Sequence, residues 1–141
     1  MSFERLVAEH DRIDSVAQAL GRMILHAVPS VNAILATRAL LSTELTAHLA
    51  HEDSAIYPRL LAGGCESVAQ TAHEFAEEFE LLAHDWQIYL DEWDAESITA
   101  DWAEFCNQTS AVMARLHSRI DRENALLYPA ALQAGVIRLR A

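Results

Sequence analysis

The chain of 141 residues contains few of the residues that interrupt helices or cross-link a chain, with 4 glycines, 3 prolines and 2 cysteines. Beside a hydrophobic content of 52%, this scarcity favours helix throughout. Two cysteines are too few for a disulfide framework, so Cys65 and Cys106 are expected to stay reduced and unpaired. No apolar run reaches the roughly 20 residues of a membrane span, and no signal-peptide pattern opens the chain. We therefore expect one domain over residues 1–141, located in the cytoplasm and without a membrane partner.

Basic residues are also scarce, since 10 lysines and arginines stand against 21 acidic residues and the formal net charge is -11. Binding of nucleic acid or of an anionic membrane needs clustered basic side chains. The charge balance therefore excludes nucleic acid as an expected partner and favours a protein that holds cations.

Apolar residues recur at helical spacing in four segments, each about 25 residues long. Such helices with short connections predict an all-α fold, an antiparallel up-down-up-down four-helix bundle. The predicted helices run from Phe3 to about His26, from about Val31 to Tyr57 where Pro58 ends the helix, from about Ser67 to Trp93, and from after a connection at 94–100 to Tyr128, with 130–141 as a tail.

The end of the second predicted helix carries ligand-type side chains on its apolar face. At about 100° per residue, Glu52 falls near the middle of the apolar stripe and His48 falls on its edge. A buried carboxylate without a partner is costly, so Glu52 requires a cation or a proton donor. The spacing of this pair suits the binding of one metal ion, and a buried hydrogen bond between histidine and glutamate is the alternative.

The predicted helix directions bring further ligand-type residues to the height of this pair. Because neighbouring helices alternate in direction, early positions in the first and third helices lie beside late positions in the second and fourth. His73 and His117 lie off the apolar stripes of their helices, and His117 forms a possible ligand pair with Asp121. The candidate metal ligands are His10, His48, Glu52, His73, His117 and Glu123.

An internal repeat relates the two halves of this candidate site. The segment from Glu52 to Pro58 aligns without gaps on the segment from Glu123 to Pro129, and the Glu, Tyr and Pro residues coincide. In the same register Arg119 takes the place of His48. We expect its guanidinium to fork onto Glu123, to reach towards Glu52 and to repel a second metal ion, which leaves at most one tightly bound metal.

These motifs resemble the hemerythrin-like, or HHE cation-binding, family, whose pattern surrounds a non-heme di-iron centre. The segment from Glu9 to Ile13 is similar to the family's first histidine motif, and His48 with Glu52 is similar to its His-x-x-x-Glu motif. In the last helix, Arg119 stands where the family has a histidine. The resemblance implies iron as the metal, with zinc or manganese as alternatives, and a role in binding or sensing dioxygen or nitric oxide, or in iron handling.

Two other functions remain open at this point. The first is an enzyme on the same centre, which needs an open coordination position and a route for substrate. The second is a metal-free or single-metal bundle that acts as an interaction or regulatory module, with Arg119 in place of a ligand. Aromatic residues are expected to pack at the opposite end of the bundle, with a homodimer contact as the alternative role: Trp86, Tyr89, Trp93, Trp102 and Phe105.

Overall fold

The computed structural model describes residues 1–63 and 65–140, and within these ranges the chain is helical, which confirms the predicted all-α fold. The long helices form a bundle, and shorter helical segments follow three of them. The elements are α1 (Phe3–Met23), α2 (Val31–Ala55), α3 (Tyr57–Ala62), α4 (Glu66–Glu92), α5 (Ala95–Ala100), α6 (Trp102–Arg122), a π-helical turn (Glu123–Leu127) and α7 (Tyr128–Gln133). None of the helices in the described ranges is both long and apolar enough to cross a membrane.

The helix boundaries near the prolines differ from the prediction. Pro58 and Pro129 do not end helices; each lies in the first turn of a short helix, α3 or α7, where a missing N–H group costs no hydrogen bond. The interruptions come just before these prolines, at Ile56 and in the π-helical turn. The predicted connection at 94–100 contains α5, which begins because the Asp94 side chain accepts a hydrogen bond from the Ser97 N–H group at 2.8 Å.

Contacts between the long helices join the beginning of one helix to the end of another. Arg38, early in α2, donates a hydrogen bond of 2.7 Å to the carbonyl group of Trp93, just after α4. Trp102, at the start of α6, donates one of 3.1 Å to the carbonyl group of His26, just after α1. Residues late in α2 therefore lie at the same end of the molecule as residues early in α4, and residues late in α6 lie at the same end as residues early in α1.

The core consists of two apolar clusters with a polar layer between them. Along α1, Leu6 belongs to one cluster and Ile13 to the other, and His10 lies between them. Along α2, Leu41 and Ile56 belong to different clusters in the same way. The ionisable residues of both helices are consequently held at one height, with apolar packing above and below.

The aromatic residues at the far end of the bundle are largely buried. Tyr89, Trp93 and Phe105 are 3%, 7% and 0% exposed, as predicted for core residues. Tyr89 stacks on Phe105, and Trp93 packs edge-on against the same ring. Arg38 also packs here, where its guanidinium donates to the Trp93 carbonyl group and lies 5.2 Å from the ring centre of Tyr89. A carbonyl group at a helix C-terminus carries partial negative charge, so it can serve a cation as an acid would. Cys65 and Cys106 are both free.

Candidate metal centre

Four ionisable side chains from three helical elements meet in the polar layer. They are His10 from α1, His48 and Glu52 from α2, and Glu123 from the π-helical turn, and their ligand atoms all lie within 4.8 Å of one another. Their exposed fractions are 1%, 3%, 0% and 1%, respectively. Burial of this many ionisable groups is costly unless opposite charges are present, so the cluster needs positive charge.

The contacts within the cluster point at a common centre. The Nε2 atom of His10 lies 2.9 Å from Nε2 of His48 and 3.1 Å from Oε1 of Glu123. The Nε2 atom of His48 lies 2.9 Å from Oε1 of Glu52 and 3.7 Å from Oε1 of Glu123. Two imidazole nitrogens and two carboxylate oxygens thus converge, each on a separate side chain.

Partners behind the rings orient the two imidazoles. Nδ1 of His10 lies 2.7 Å from the carboxamide oxygen of Asn124, which can only accept, so Nδ1 carries the proton and donates. Nδ1 of His48 faces Oε1 of Glu9 at 3.5 Å, and the same carboxylate accepts from Nδ1 of His51 at 2.8 Å. Such partners commonly fix the tautomer of a metal-binding histidine. Both Nε2 atoms are directed into the cluster.

The hydrogen-bonding capacity of the cluster fits a metal ion. If both Nδ1 atoms carry the ring proton, the two Nε2 lone pairs face each other, and the nearby Tyr128 hydroxyl group donates its proton to Oε1 of Glu52 at 2.7 Å. The Oε2 atom of Glu52 is buried and has no hydrogen-bond partner, whereas the buried Oε2 atom of Glu123 faces Nε of Arg119 at 3.3 Å. A cation satisfies these lone pairs, and a donor set of imidazole and carboxylate without thiolate suits iron, zinc or manganese.

The electrostatics of the cluster also favour a positive charge at its centre. Burial alone lowers the pKa of His48, but contacts with Glu123, Glu52 and Glu9 outweigh it and raise the pKa to about 11. Burial and the charge of Glu123 raise the pKa of Glu52 to about 7. Burial opposes ionisation of Glu123 too, yet hydrogen bonds from His10 and His48 hold its pKa below the usual range. Without a metal ion, a proton on the cluster supplies the missing charge, and metal binding displaces it.

The family model described as Hemerythrin HHE cation binding domain matches residues 1–131. The chain belongs to this family. No curated protein matches the chain, and no solved structure does. Family membership and the buried cluster of histidines and glutamates together support a metal-binding, hemerythrin-like protein.

The internal repeat of this hemerythrin-like chain is visible in space. Tyr57 and Tyr128 follow Glu52 and Glu123 by five residues, and both tyrosines are buried because the helix is interrupted between each Glu and its Tyr. Tyr128 donates to Glu52 of the other half at 2.7 Å, and the hydroxyl oxygen of Tyr57 accepts from Nη2 of Arg119 at 2.6 Å. Each tyrosine thus contacts the opposite half of the centre.

Arg119 lies beside the cluster, with an exposed fraction of 4%. Its Nε atom is 3.3 Å from Oε2 of Glu123. The predicted fork onto Glu123 with a reach towards Glu52 is wrong, because Nη1 donates to the carbonyl group of Phe75 and Nη2 donates to Tyr57, each at 2.6 Å. The guanidinium pairs with Glu123 through Nε and donates to uncharged groups through Nη1 and Nη2, with the half-exposed Glu78 at 3.9 Å from Nη1.

The structure places two of the six predicted ligands away from the cluster. The side chains of His73 and His117 are 57% and 65% exposed; His73 pairs with Glu77 at 3.2 Å, and His117 pairs with Asp121 at 3.3 Å. The preceding residue takes the inward position in each helix, since Ala72 and Leu116 are 0% and 4% exposed. The π-helical turn begins after His117 and therefore does not rotate it inward. His10, His48, Glu52 and Glu123 are the predicted ligands that the structure brings together.

Four residues of the centre were not among the predicted ligands: Glu9, His51, Asn124 and Tyr128. The repeat contained a signal for Tyr128, because its Tyr coincides in both copies. Glu9 directly precedes His10 in the first motif, and His51 follows His48 by three residues on α2. Asn124 follows Glu123 directly, and a regular helix turns successive residues about 100° apart, so periodicity offers no signal for its contact with His10.

Proposed function

We propose that this protein binds non-heme iron in the cluster of His10, His48, Glu52 and Glu123, and that it binds dioxygen or nitric oxide at that centre. The observation that carries the proposal is the convergence of two imidazole nitrogens and two carboxylates within 4.8 Å in a buried layer. The donor set suits iron, with zinc and manganese as competitors. The family resemblance of the motifs favours iron and a role in gas binding, gas sensing or iron handling.

Each residue of the cluster has a definite part in this proposal. His10 and His48 would hold the ion through Nε2, and Glu52 and Glu123 would hold it through carboxylate oxygens. Ferrous iron, when bound, supplies a redox-active centre that accepts small diatomic ligands. Four side-chain donors are fewer than iron accepts, so such a ligand can bind without displacing one of them.

The surrounding residues orient the donors and keep water out. Asn124 and Glu9 face the Nδ1 atoms of the two histidines at 2.7 and 3.5 Å. Tyr128 donates its hydroxyl proton to Glu52 and is itself fully buried. The apolar clusters on both sides of the layer limit access to small, uncharged molecules, and dioxygen and nitric oxide belong to this class.

Loading with iron followed by exposure to each gas tests the proposal. The protein is purified without chelator, loaded anaerobically with ferrous iron and separated from free metal. We expect retained iron by metal analysis, and a change in the visible and electron paramagnetic resonance spectra on addition of nitric oxide or dioxygen. The zinc-loaded protein is the control and should show no spectral change. Absence of retained iron, or an iron-loaded protein whose spectra respond to neither gas, would refute the proposal.

A metal-free interaction module is the second candidate function. It is favoured by the two positive charges that the chain itself can provide, a proton on His48 and the guanidinium of Arg119, which lies 3.3 Å from Glu123. Together they can balance both buried glutamates. This candidate predicts no retained metal of any kind in the loading experiment.

A further inference from the structure

The centre consists of two halves that each contribute three equivalent positions, and the residues differ at one of these positions. The first half contains His48, Glu52 and Tyr57, and the second contains Arg119, Glu123 and Tyr128 at the same spacing. Both glutamates are buried in the same cluster, and each tyrosine contacts the opposite half. The halves differ in the residue four positions before the glutamate, which is an imidazole in one and a guanidinium in the other.

The guanidinium of Arg119 is held on several sides. Nη1 donates to the carbonyl group of Phe75 and Nη2 donates to Tyr57, each at 2.6 Å. The Cζ atom of the guanidinium also lies 4.7 Å from the ring centre of Phe75 and 4.9 Å from that of Phe79. Rotation of Arg119 out to solvent would break all of these contacts, so the charge stays beside Glu123.

A second metal ion on the Arg119 side would lack protein ligands, and it would also meet an unfavourable electrostatic field. In the part of the chain that the structure describes, His10, His48, Glu52 and Glu123 form the single group of three or more ligand-type residues close enough to hold an ion. Among the described residues, the acid outside this group that lies within 4 Å of the Arg119 guanidinium is Glu78, which is 46% exposed, 3.9 Å from Nη1 and also paired with Arg122. A guanidinium keeps its charge at all physiological pH values, so it repels a divalent ion placed beside Glu123.

We infer that Arg119 is the resident cation of the second half and that the centre takes one metal ion, held on the side of His10 and His48. This inference rests on the proposed metal binding and adds its stoichiometry. The charge of Arg119 balances Glu123, and the metal ion balances the rest of the cluster.

Metal titration of matched arginine variants tests the inference. Chelator-treated protein is titrated with zinc, and with ferrous iron under anaerobic conditions, and metal per chain is measured after gel filtration. We expect one ion in the wild type and two in Arg119→His, which supplies an imidazole in the place equivalent to His48. The second ion should bind Arg119→His on the order of a hundredfold more tightly than the wild type. Arg119→Lys keeps the charge and should take one ion.

Arg115→His is the control for an added histidine, because Arg115 lies one turn earlier on α6, is exposed and pairs with Asp85 at 2.8 Å. It should take one ion. Two ions in the wild type would overturn this inference and leave the proposed metal binding intact, whereas none would overturn both. One ion in a folded Arg119→His, or two in Arg119→Lys, would also overturn the inference. The wild-type stoichiometry decides the question even if Arg119→His does not fold.

Discussion

At the scale of single residues, the centre depends on which ring nitrogen of each histidine faces inward. The contact of Asn124 with His10 keeps the proton on Nδ1 and directs the Nε2 lone pair to the cluster. His48 has the same orientation but a longer contact, 3.5 Å from Glu9. A carboxamide thus lies behind one ring and a carboxylate behind the other, and both rings present Nε2 to the same centre.

Replacement of single ligands should remove metal without unfolding the bundle. In His48→Ala and Glu52→Ala we expect complete loss of metal uptake by metal analysis, with unchanged helical circular dichroism, because the apolar clusters supply most of the folding free energy. His73→Ala and His117→Ala are the matched controls and should retain the metal, since both side chains are exposed. Loss of metal in either control would restore the exposed histidine as a ligand.

Replacement of a residue behind the rings should weaken the site rather than abolish it. Asn124→Ala removes the acceptor for Nδ1 of His10, and we expect the affinity for zinc to fall about 10- to 100-fold. Competition with a chromophoric chelator measures this affinity. Asn107→Ala, at an exposed position of α6, is the control and should bind zinc as the wild type does. An unchanged affinity in Asn124→Ala would show that ring packing alone orients His10.

At the scale of helices, the two interruptions decide which residues reach the centre. The π-helical turn sets the position of Tyr128. The N–H group of Tyr128 bonds to the Glu123 carbonyl group five residues earlier. A π-helical turn is an α-helix with one additional residue, and such turns are frequent at functional sites. In the first half, the break at Ile56 between α2 and α3 serves the same purpose for Tyr57.

Deletion and insertion of a residue in the π-helical turn should therefore affect the metal centre differently. Deletion of exposed Ala125 converts the turn into regular α-helix and leaves Tyr128 in place, so we expect unchanged metal stoichiometry and a free energy of unfolding within about 1 kcal/mol of the wild type. Insertion of one alanine after Ala125 rotates α7 by about 100° and should remove the Tyr128 hydroxyl group from Glu52. Urea unfolding and metal analysis measure both effects. Equal loss of metal in the two variants would show that the π-helical geometry itself is required.

At the scale of the whole molecule, the metal centre lies between two apolar clusters. The packing of one cluster depends on the metal more than the packing of the other. The cluster that contains Phe105 and Trp93 lies at the far end and is built without any residue of the centre. The cluster that contains Tyr128 and Ile56 includes the segments that directly follow the glutamates, packed against Leu6 of α1 and Phe75 of α4. Ordered packing of the second cluster is therefore coupled to an ordered arrangement of the side chains in the metal centre.

Removal of metal should loosen one end of the bundle more than the other. After chelation we expect faster amide hydrogen exchange in α3, the π-helical turn and α7, and little change in α5 and early α6. The midpoint of thermal unfolding should fall, because a ligand at 100 times its dissociation constant stabilises the folded state by about 2.7 kcal/mol. Equal changes in exchange at both ends would show that the molecule opens as one unit.

Periodicity and composition were sufficient to predict the all-α bundle and the inward placement of His48 and Glu52, because a face of a helix is determined by local spacing. The alignment of the repeat indicated Glu123 as well. The same periodicity could not predict the shifts at Ile56 and in the π-helical turn, which change the register by a single residue. Pro58 and Pro129 were therefore interpreted as helix ends, although each lies within a short helix.

The amino-acid sequence by itself determined the helices, their apolar faces and the presence of an arginine where the repeat has a histidine. Only the tertiary structure decided that Asn124 supports His10 and that Arg119 bonds to Tyr57 and to Phe75. The physical reason is how far apart the contacting residues are along the chain. A helix face follows from residues three and four positions apart, whereas these contacts join residues that are 114, 62 and 44 positions apart, respectively. Their geometry depends on how the faces are packed together, because the partners of a buried polar group are set by the side chains that surround it.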